Sequence, residues 1–465
     1  MKDFNIVQKI WNLCNVLRGD GISYHQYISE LTYLLFLKIA EETKTENFLP
    51  RGYRWNDLID FNGKDLLTFY REMLTYLGGH AEKQEIREIY AFPTTVFSHS
   101  ENLKAVIDGI SEIDWHSITS DGMGDLYEGL LAKNSQDARS GAGQYFTPRA
   151  LVECIIQLTK PQLGEIIQDP ATGSGGFLIS ADHFVRSNRS PKEYKKNPPK
   201  YEGLEIEKGT YRICLMNAFL HQLDAKIILG DALTEDATEL SSADLILANP
   251  PFGAKAGSAR KQRKDISHVT ANKQIAFLQH IYLGAEMGGR AAVVVPDNVL
   301  FEDGVGKAVR QELMDKCNLH TILRLPTGIF YSQGVKTNVL FFTKGTKTEE
   351  IWVYDMRTNM PQFGKRTPFT LDYFFDFIKA YGDDPHGRSK RKAEGLKGRF
   401  RSFNRKFISK RDDSLDISWL KDENLQEYSE LIEPNELAAL AISELEGAVG
   451  DLNNILELLA KEGVV

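Results

Sequence analysis

From residue 165 onward, short apolar runs alternate with helical stretches, and this alternation restricts the possible folds of the chain more than any other feature. The runs fall at 165–168, 200–203, 226–229, 244–248, 291–295, 321–325 and 338–342. Strands separated by helical patterns predict right-handed crossovers, and hence an α/β fold built on a doubly wound, mostly parallel, Rossmann-like sheet. Open sheets of this kind bind ligands beyond the carboxyl ends of their strands. The residues that immediately follow each run are therefore the first to consider.

Two runs lead into distinctive loops. After 165–168 comes Asp169-Pro-Ala-Thr-Gly-Ser-Gly-Gly-Phe-Leu178, and after 244–248 comes Asn249-Pro-Pro-Phe-Gly253. In the first, Gly173, Gly175 and Gly176 permit a tight turn and close approach of a ligand to the backbone, while the helical run from Phe177 offers free N–H groups. A dinucleotide fold places glycines similarly, but each of the next two runs is followed by an acid, Glu205 after the first and Asp231 after the second. A carboxylate after the second strand can accept both ribose hydroxyls, and one after the third can accept the exocyclic amine of adenine. That combination meets the demands of S-adenosyl-L-methionine. No Gly-Lys-Ser or Gly-Lys-Thr occurs, which excludes a phosphate-binding Walker loop.

The second loop suits an amino group. The exocyclic amine of a base is a poor nucleophile because its lone pair is delocalised into the ring, so acceptors must draw its hydrogens out of plane. The side-chain carbonyl of Asn249 and the backbone carbonyl of Pro250 can do this, with Pro250 and Pro251 fixing φ and holding the oxygens rigid. Phe252 offers a flat apolar face for a base flipped from the duplex. Two half-sites on one sheet edge predict one active site, with direct transfer and no covalent enzyme intermediate.

Outside the sheet, residues 4 to about 135 carry helical stripes such as Tyr24, Ile28, Leu31, Leu35 and Ile39. Beyond Tyr354 the pattern loosens into turns, an acidic pair and a basic run at 388–411. After Pro434, Ala438, Ile442, Leu445, Val449, Leu452, Leu456 and Leu459 form a heptad seam that predicts a helix docking on a partner. The expected domains are thus a helical unit at 1–138, a catalytic α/β domain at 139–420 and a partner-docking segment at 421–465. The net charge of −8 argues against unaided binding of nucleic acid, so contact with DNA is expected to be local or shared. Lys255, Arg260, Lys261, Arg263 and Lys264 form one basic cluster and the 388–411 run another. Cys14, Cys154, Cys214 and Cys317 are scattered, which predicts buried, reduced thiols and neither a zinc ribbon nor a disulfide framework; no metal site is expected. With no long apolar span and no signal-like start, a cytoplasmic location without a membrane anchor is expected.

Taken together, these segments resemble the modification subunit of type I restriction-modification systems, a γ-group N6-adenine DNA methyltransferase. The resemblance extends to Asp125-Leu-Tyr-Glu-Gly129, Gly143-Gln-Tyr-Phe-Thr-Pro-Arg149, Phe277-Leu-Gln-His280, Val295-Pro-Asp-Asn-Val-Leu-Phe301, Leu325-Pro326 with Phe330, and Leu415-Asp-Ile417. It implies that Tyr145, Phe146 and Thr147 line the methionine end of S-adenosyl-L-methionine, that Asp169 and Gly173 hold its amino-acid moiety, Glu205 its ribose and Asp231 its adenine. Ala171, Ser174, Gly175 and Ala232 complete the implied cofactor set, and Asn249, Pro250, Pro251 and Phe252 the catalytic motif. The implied partners are duplex DNA, a specificity subunit with two modification subunits on it, and an ATP-driven restriction subunit.

Asn-Pro-Pro-aromatic motifs also serve RNA guanine-N2 and protein glutamine methyltransferases, which are the enzymatic alternatives. A cofactor-sensing assembly subunit with little activity is the alternative of another class. Cytosine-C5 chemistry lacks its Pro-Cys nucleophile here.

Overall fold

The computed structural model describes residues 2–13, 24–115, 124, 126–131, 133, 147–252, 263–330, 336–361, 363 and 367–421. Tyr145, Phe146, Cys14, most of the first basic cluster and the C-terminal heptad seam lie outside the described residues.

The N-terminal part is helical, as its stripes predict. It comprises α1 (Lys2–Asn12), α2 (Tyr24–Glu42), α3 (Trp55–Ile59), α4 (Gly63–His80), α5 (Gln84–Ile89) and α6 (Ser100–Ser111). The expected stripe on α2 understates its burial: every residue from Leu31 to Ala40 is buried, because the helix is enclosed by the others and by the catalytic domain. Even Lys38 is 8% exposed, and it ends in ion pairs at 2.6 Å with Glu41 and Glu42. Burying a charge without such partners would be strongly unfavourable.

All seven runs form strands: β1 (Ile166–Asp169), β2 (Lys200–Glu205), β3 (Ala225–Leu229), β4 (Ala243–Ala248), β5 (Ala285–Pro296), β6 (Cys317–Arg324) and β7 (Thr337–Lys344). Two further strands, β8 (Glu350–Asp355) and β9 (Phe400–Asn404), extend the sheet to the order β3-β2-β1-β4-β5-β7-β6-β8-β9. Pairing is parallel from β3 through β5 and between β6 and β8, while β7 and β9 run against their neighbours.

Alternate residues of the central strands enter two separate cores. Leu245 and Leu247 of β4 and Val294 of β5 join the core that also contains α7 (Arg149–Thr159), α8 (Gly176–Asn188) and, after the short α9 (Pro191–Lys196), α10 (Lys208–Leu220). Ile246, Ala248 and Val293 join the opposite core with α11 (Lys273–Gly284) and, beyond the short α12 (Asp297–Phe301), α13 (Val305–Lys316). Both faces of the sheet are thus covered by helices, which is why the parallel strands read as near-continuous apolar runs. The helical unit joins the first core: Phe36 packs against Phe219 at 4.9 Å between ring centroids. Arg212 of α10 donates to the carbonyls of Ile89 and Ala91 at 2.8 and 3.1 Å.

Candidate active site

The pairing of β1 with β4, Ile167 opposite Leu245 and Gln168 opposite Ile246, sets the Asp169 and Asn249 loops side by side at the carboxyl edge of the sheet. Neighbouring strands lie about 4.8 Å apart, so the two half-sites expected from sequence share one edge.

The first loop is held mainly by its own polar atoms. Asp169, 1% exposed, accepts from Ala171 N at 3.0 Å. Thr172 bridges two strands, its hydroxyl donating to the carbonyls of Asp169 and Leu204 at 3.0 Å each. Gly175, at φ +84°, turns the chain into α8, a conformation in which a side chain would be strained. The carbonyl of Ser174 accepts from Asn217 Nδ2 at 2.9 Å.

Glu205 closes the loop from β2. One carboxylate oxygen accepts from Gly173 N at 3.0 Å and the other from Glu207 N at 2.8 Å, and each oxygen keeps a further lone pair. Asp231, after β3, accepts from Leu233 N at 2.9 Å. Ala232 is buried beside Leu204 and Phe277.

Asp169 and Glu205 have no cationic partner among the described residues. Burial is the main cause that pushes the Asp169 carboxyl up to about 8, reinforced by the nearby Glu205, with the Ala171 N–H opposing. Burial likewise pushes Glu205 up to about 7 against the N–H groups of Glu207 and Gly173. A buried acid pair without a counter-charge fits a cationic ligand, and S-adenosylmethionine carries both an ammonium and a sulfonium.

In the second loop Asn249 Nδ2 donates to Thr147 Oγ1 at 3.1 Å, which fixes the amide. Its carbonyl oxygen Oδ1 is buried and has no hydrogen-bond partner among the described residues. A buried acceptor left unpaired costs about 1–3 kcal/mol, so this oxygen is poised for a donor from outside the chain. Pro250 is buried, and the carbonyl of Pro251 accepts from Gln274 Nε2 at 3.3 Å. Phe252 meets Phe330 edge to face, ring centroids 6.3 Å apart.

Several participants were not read from sequence. Gly203 is required by close approach: a Cβ there would stand 2.5 Å from Thr172 Oγ1. Asn217 and Gln274 brace the two loops from α10 and α11. Ile206 follows Glu205 and is 56% exposed, an unusual place for an apolar side chain beside buried acids. Its position immediately after the β2 acid was the available signal.

A family model described as N-6 DNA Methylase matches residues 118–426, and one described as the HsdM N-terminal domain matches 6–110. The StySPI type I restriction enzyme methylase subunit of Salmonella potsdam is 44% identical over 511 residues, covering 99% of this chain and 96% of the relative. The EcoKI methylase subunit of Escherichia coli K12 gives the same identity and coverage. Among solved structures, the EcoKI M protein aligns with a TM-score of 0.57 at 41% identity, over 98% of this chain and 96% of that one. A chain from work on complex assembly and conformational transition of the type I R-M system aligns with a TM-score of 0.73 at 25% identity, over 98% of both.

Proposed function

This chain belongs to the N-6 DNA methylases and, among them, to the methylase subunits of type I restriction enzymes, and we propose that its paired loops bind S-adenosyl-L-methionine and direct the methyl group to N6 of adenine in duplex DNA. The observation that carries this reading is the juxtaposition, on adjacent strands, of a buried acid pair lacking a cation and the unpartnered Oδ1 of Asn249.

When bound, S-adenosylmethionine supplies a methyl group on a positively charged sulfur. Asp169 and the Gly173 backbone hold its amino-acid end, Glu205 accepts from its ribose hydroxyls, Ile206 lies against the adenine, and Asp231 accepts from the adenine amine. Thr147, with Tyr145 and Phe146, lines the methionine end, and Ala171, Ser174, Gly175 and Ala232 shape the backbone around it. Asn249 Oδ1 and the Pro250 carbonyl accept hydrogen bonds from the N6 amine of a flipped adenine, so that its lone pair is released from the ring. The Asn249 carbonyl thereby stabilises the positive charge that develops on nitrogen as the N–C bond forms. Phe252, backed by Phe330, stacks on the base. The surplus proton of the methylated amine leaves to solvent after transfer.

The chain acts as the modification subunit of a complex, two copies on one specificity subunit that reads the DNA, with an ATP-driven restriction subunit joining them. The segment at 421–465 serves as the docking arm, following the helical unit at 1–138 and the catalytic domain at 139–420. No described helix is long and apolar enough to cross a membrane, and we place the complex in the cytoplasm. RNA guanine-N2 and protein glutamine methylation are not favoured, because the similarity runs through both the helical unit and the catalytic domain.

The test is transfer of labelled methyl to duplex DNA by the chain alone and with its specificity subunit, followed by digestion to nucleosides. N6-methyladenine formed with the partner is expected. Label found in RNA or protein and absent from DNA would overturn the proposal.

A further inference from the structure

Two segments singled out in the sequence, Val295-Pro-Asp-Asn-Val-Leu-Phe301 and Leu325-Pro326 with Phe330, have no chemistry assigned to them beyond the ring of Phe330. Both leave the sheet at its catalytic edge. β5 runs parallel to β4 with Val293 opposite Ala248, Pro296 pairs with Thr337, and Arg324 pairs with both Asn338 and Asp355. Asp297, Leu325 and Arg357 therefore follow strand ends on the same edge as Asn249.

Arg357 ties these ends together. Its Nη1 and Nη2 donate to the two carboxylate oxygens of Asp297 at 2.8 Å each, and its Nε donates to the carbonyl of Leu325 at 3.1 Å. Nη2 also reaches the carbonyl of Thr337 at 2.9 Å and Asn338 Oδ1 at 3.3 Å. Asn338 completes the ring, its Nδ2 donating to Asp297 Oδ1 at 2.8 Å. Burial opposes ionisation of Asp297, but the bonds and charge of Arg357 outweigh it and hold the carboxyl below its ordinary value. The pair is thus a charged, bidentate one, set deep enough to be geometrically specific.

The fork acts on the target-base pocket through Leu325. This residue is pinned on both sides, its N–H donating to the Thr337 carbonyl at 3.0 Å and its carbonyl accepting from Arg357. From there the chain turns at Gly328, φ +81°, where a Cβ would stand 3.1 Å from the Phe363 carbonyl. It then buries Ile329 and Phe330, and Phe330 supports the Phe252 ring edge to face.

We infer that Arg357 is a positioning residue for methyl transfer: by locking Asp297 and Leu325 into one fork it fixes Phe330 behind Phe252, and with it the plane of the adenine before Asn249. The inference rests on the adenine methylation proposed above. A shift of about 1 Å in a bound reactant can lower a rate about 100-fold, even when the substitution is remote from the chemistry. Lysine cannot replace the fork, because a single ammonium does not reach a carboxylate and a carbonyl in fixed, divergent directions.

The test compares wild type with Arg357→Lys, each assembled with the specificity subunit. Lysine leaves a cation beside Asp297, so folding is spared the loss of the charge. With DNA and S-adenosylmethionine saturating, the single-turnover rate is expected to fall about tenfold, while affinity for S-adenosylmethionine stays within about twofold. Adding Phe330→Leu to Arg357→Lys lowers the rate no further than the more severe single variant, since both act on one ring. A duplex with 2-aminopurine in place of the target adenine, which an aromatic ring quenches by stacking, emits more strongly with Arg357→Lys, as it does with Phe252→Leu. Arg399 braces the same turn through the carbonyls of Asp355 and Thr358 at 2.8 Å each and supplies the control; Arg399→Gln keeps the rate within about twofold.

A normal rate in Arg357→Lys overturns the inference, as do rate losses that add fully to those of Phe330→Leu. An equal fall in Arg399→Gln, or a parallel loss of S-adenosylmethionine affinity, also overturns it, by showing a general loosening of the edge. A wild-type complex whose 2-aminopurine signal depends on Arg357 but which forms no N6-methyladenine would instead overturn the functional reading alone.

Discussion

Asn249 Nδ2 and Thr147 Oγ1 are joined by a 3.1 Å hydrogen bond across 102 positions of sequence. Because Nδ2 is committed to Thr147, Oδ1 is the atom left for an incoming amine. Thr147→Val removes the acceptor and frees the amide to rotate. The expected result is a fall of about tenfold in kcat, corresponding to about 1.4 kcal/mol, within the range of one hydrogen bond. Thr147→Ser restores the rate. A valine variant with full kcat would show that the bond does not position the amide.

Burial holds Asp169 at about 8 and Glu205 at about 7 in the folded protein, whereas both titrate near about 4 when unfolded. Their contribution to stability is therefore fully present below about pH 4 and is lost as pH rises through about 7 to 8. A cationic ligand reverses this by favouring the ionised acids. S-adenosylmethionine affinity is expected to rise between pH 6 and 8, with protons released on binding. Calorimetry in buffers of different ionisation enthalpy reads both effects. Affinity independent of pH without proton release would contradict the assignment of this acid pair, and Glu205→Gln should flatten the profile.

Gly203 has no room for a side chain, since a Cβ would meet Thr172 Oγ1 at 2.5 Å. Displacing Thr172 breaks the bridge between the Asp169 and Leu204 carbonyls and draws Gly173 away from Glu205. Gly203→Ala is expected to cost about 1–3 kcal/mol in urea unfolding and to weaken S-adenosylmethionine binding at least about tenfold, about 1.4 kcal/mol. Wild-type values for both would mean that the loop tolerates the shift.

Arg212 is 6% exposed and fastens the helical unit to α10 through the carbonyls of Ile89 and Ala91, with its guanidinium over the Tyr33 ring. Arg212→Ala leaves two carbonyls without their charged donor. A loss of about 3 kcal/mol is expected, together with faster proteolytic separation of the two units. Unchanged proteolysis would place the docking energy elsewhere, in contacts such as Phe36 with Phe219.

The parts legible in the sequence are those encoded by local pattern. Seven strands followed from apolar runs, and the loops at Asp169 and Asn249 were evident because special backbone residues directly follow those runs. What depends on distant partners was hidden. β9 has two apolar residues, Phe400 and Phe403, inside a basic run, and only pairing with β8 makes it a strand. The run itself reads from sequence as a basic cluster open to DNA contact, yet Arg391 and Arg399 spend their charge on main-chain carbonyls that the sequence does not place nearby. Thr172, Asn217 and Gln274 are ordinary polar residues until the fold sets them against the two loops.

The most direct test of the account is the single-turnover rate of N6-methyladenine formation by the assembled complex, compared between wild type and Asn249→Ala, with S-adenosylmethionine affinity measured on the same samples. The predicted result is a rate lowered about 100- to 1,000-fold, the scale of removing one such electrostatic contact, with cofactor affinity within about twofold of wild type, under about 0.5 kcal/mol. A variant that methylates adenine at the normal rate would contradict the assignment of Asn249 Oδ1 as the acceptor that activates the amine.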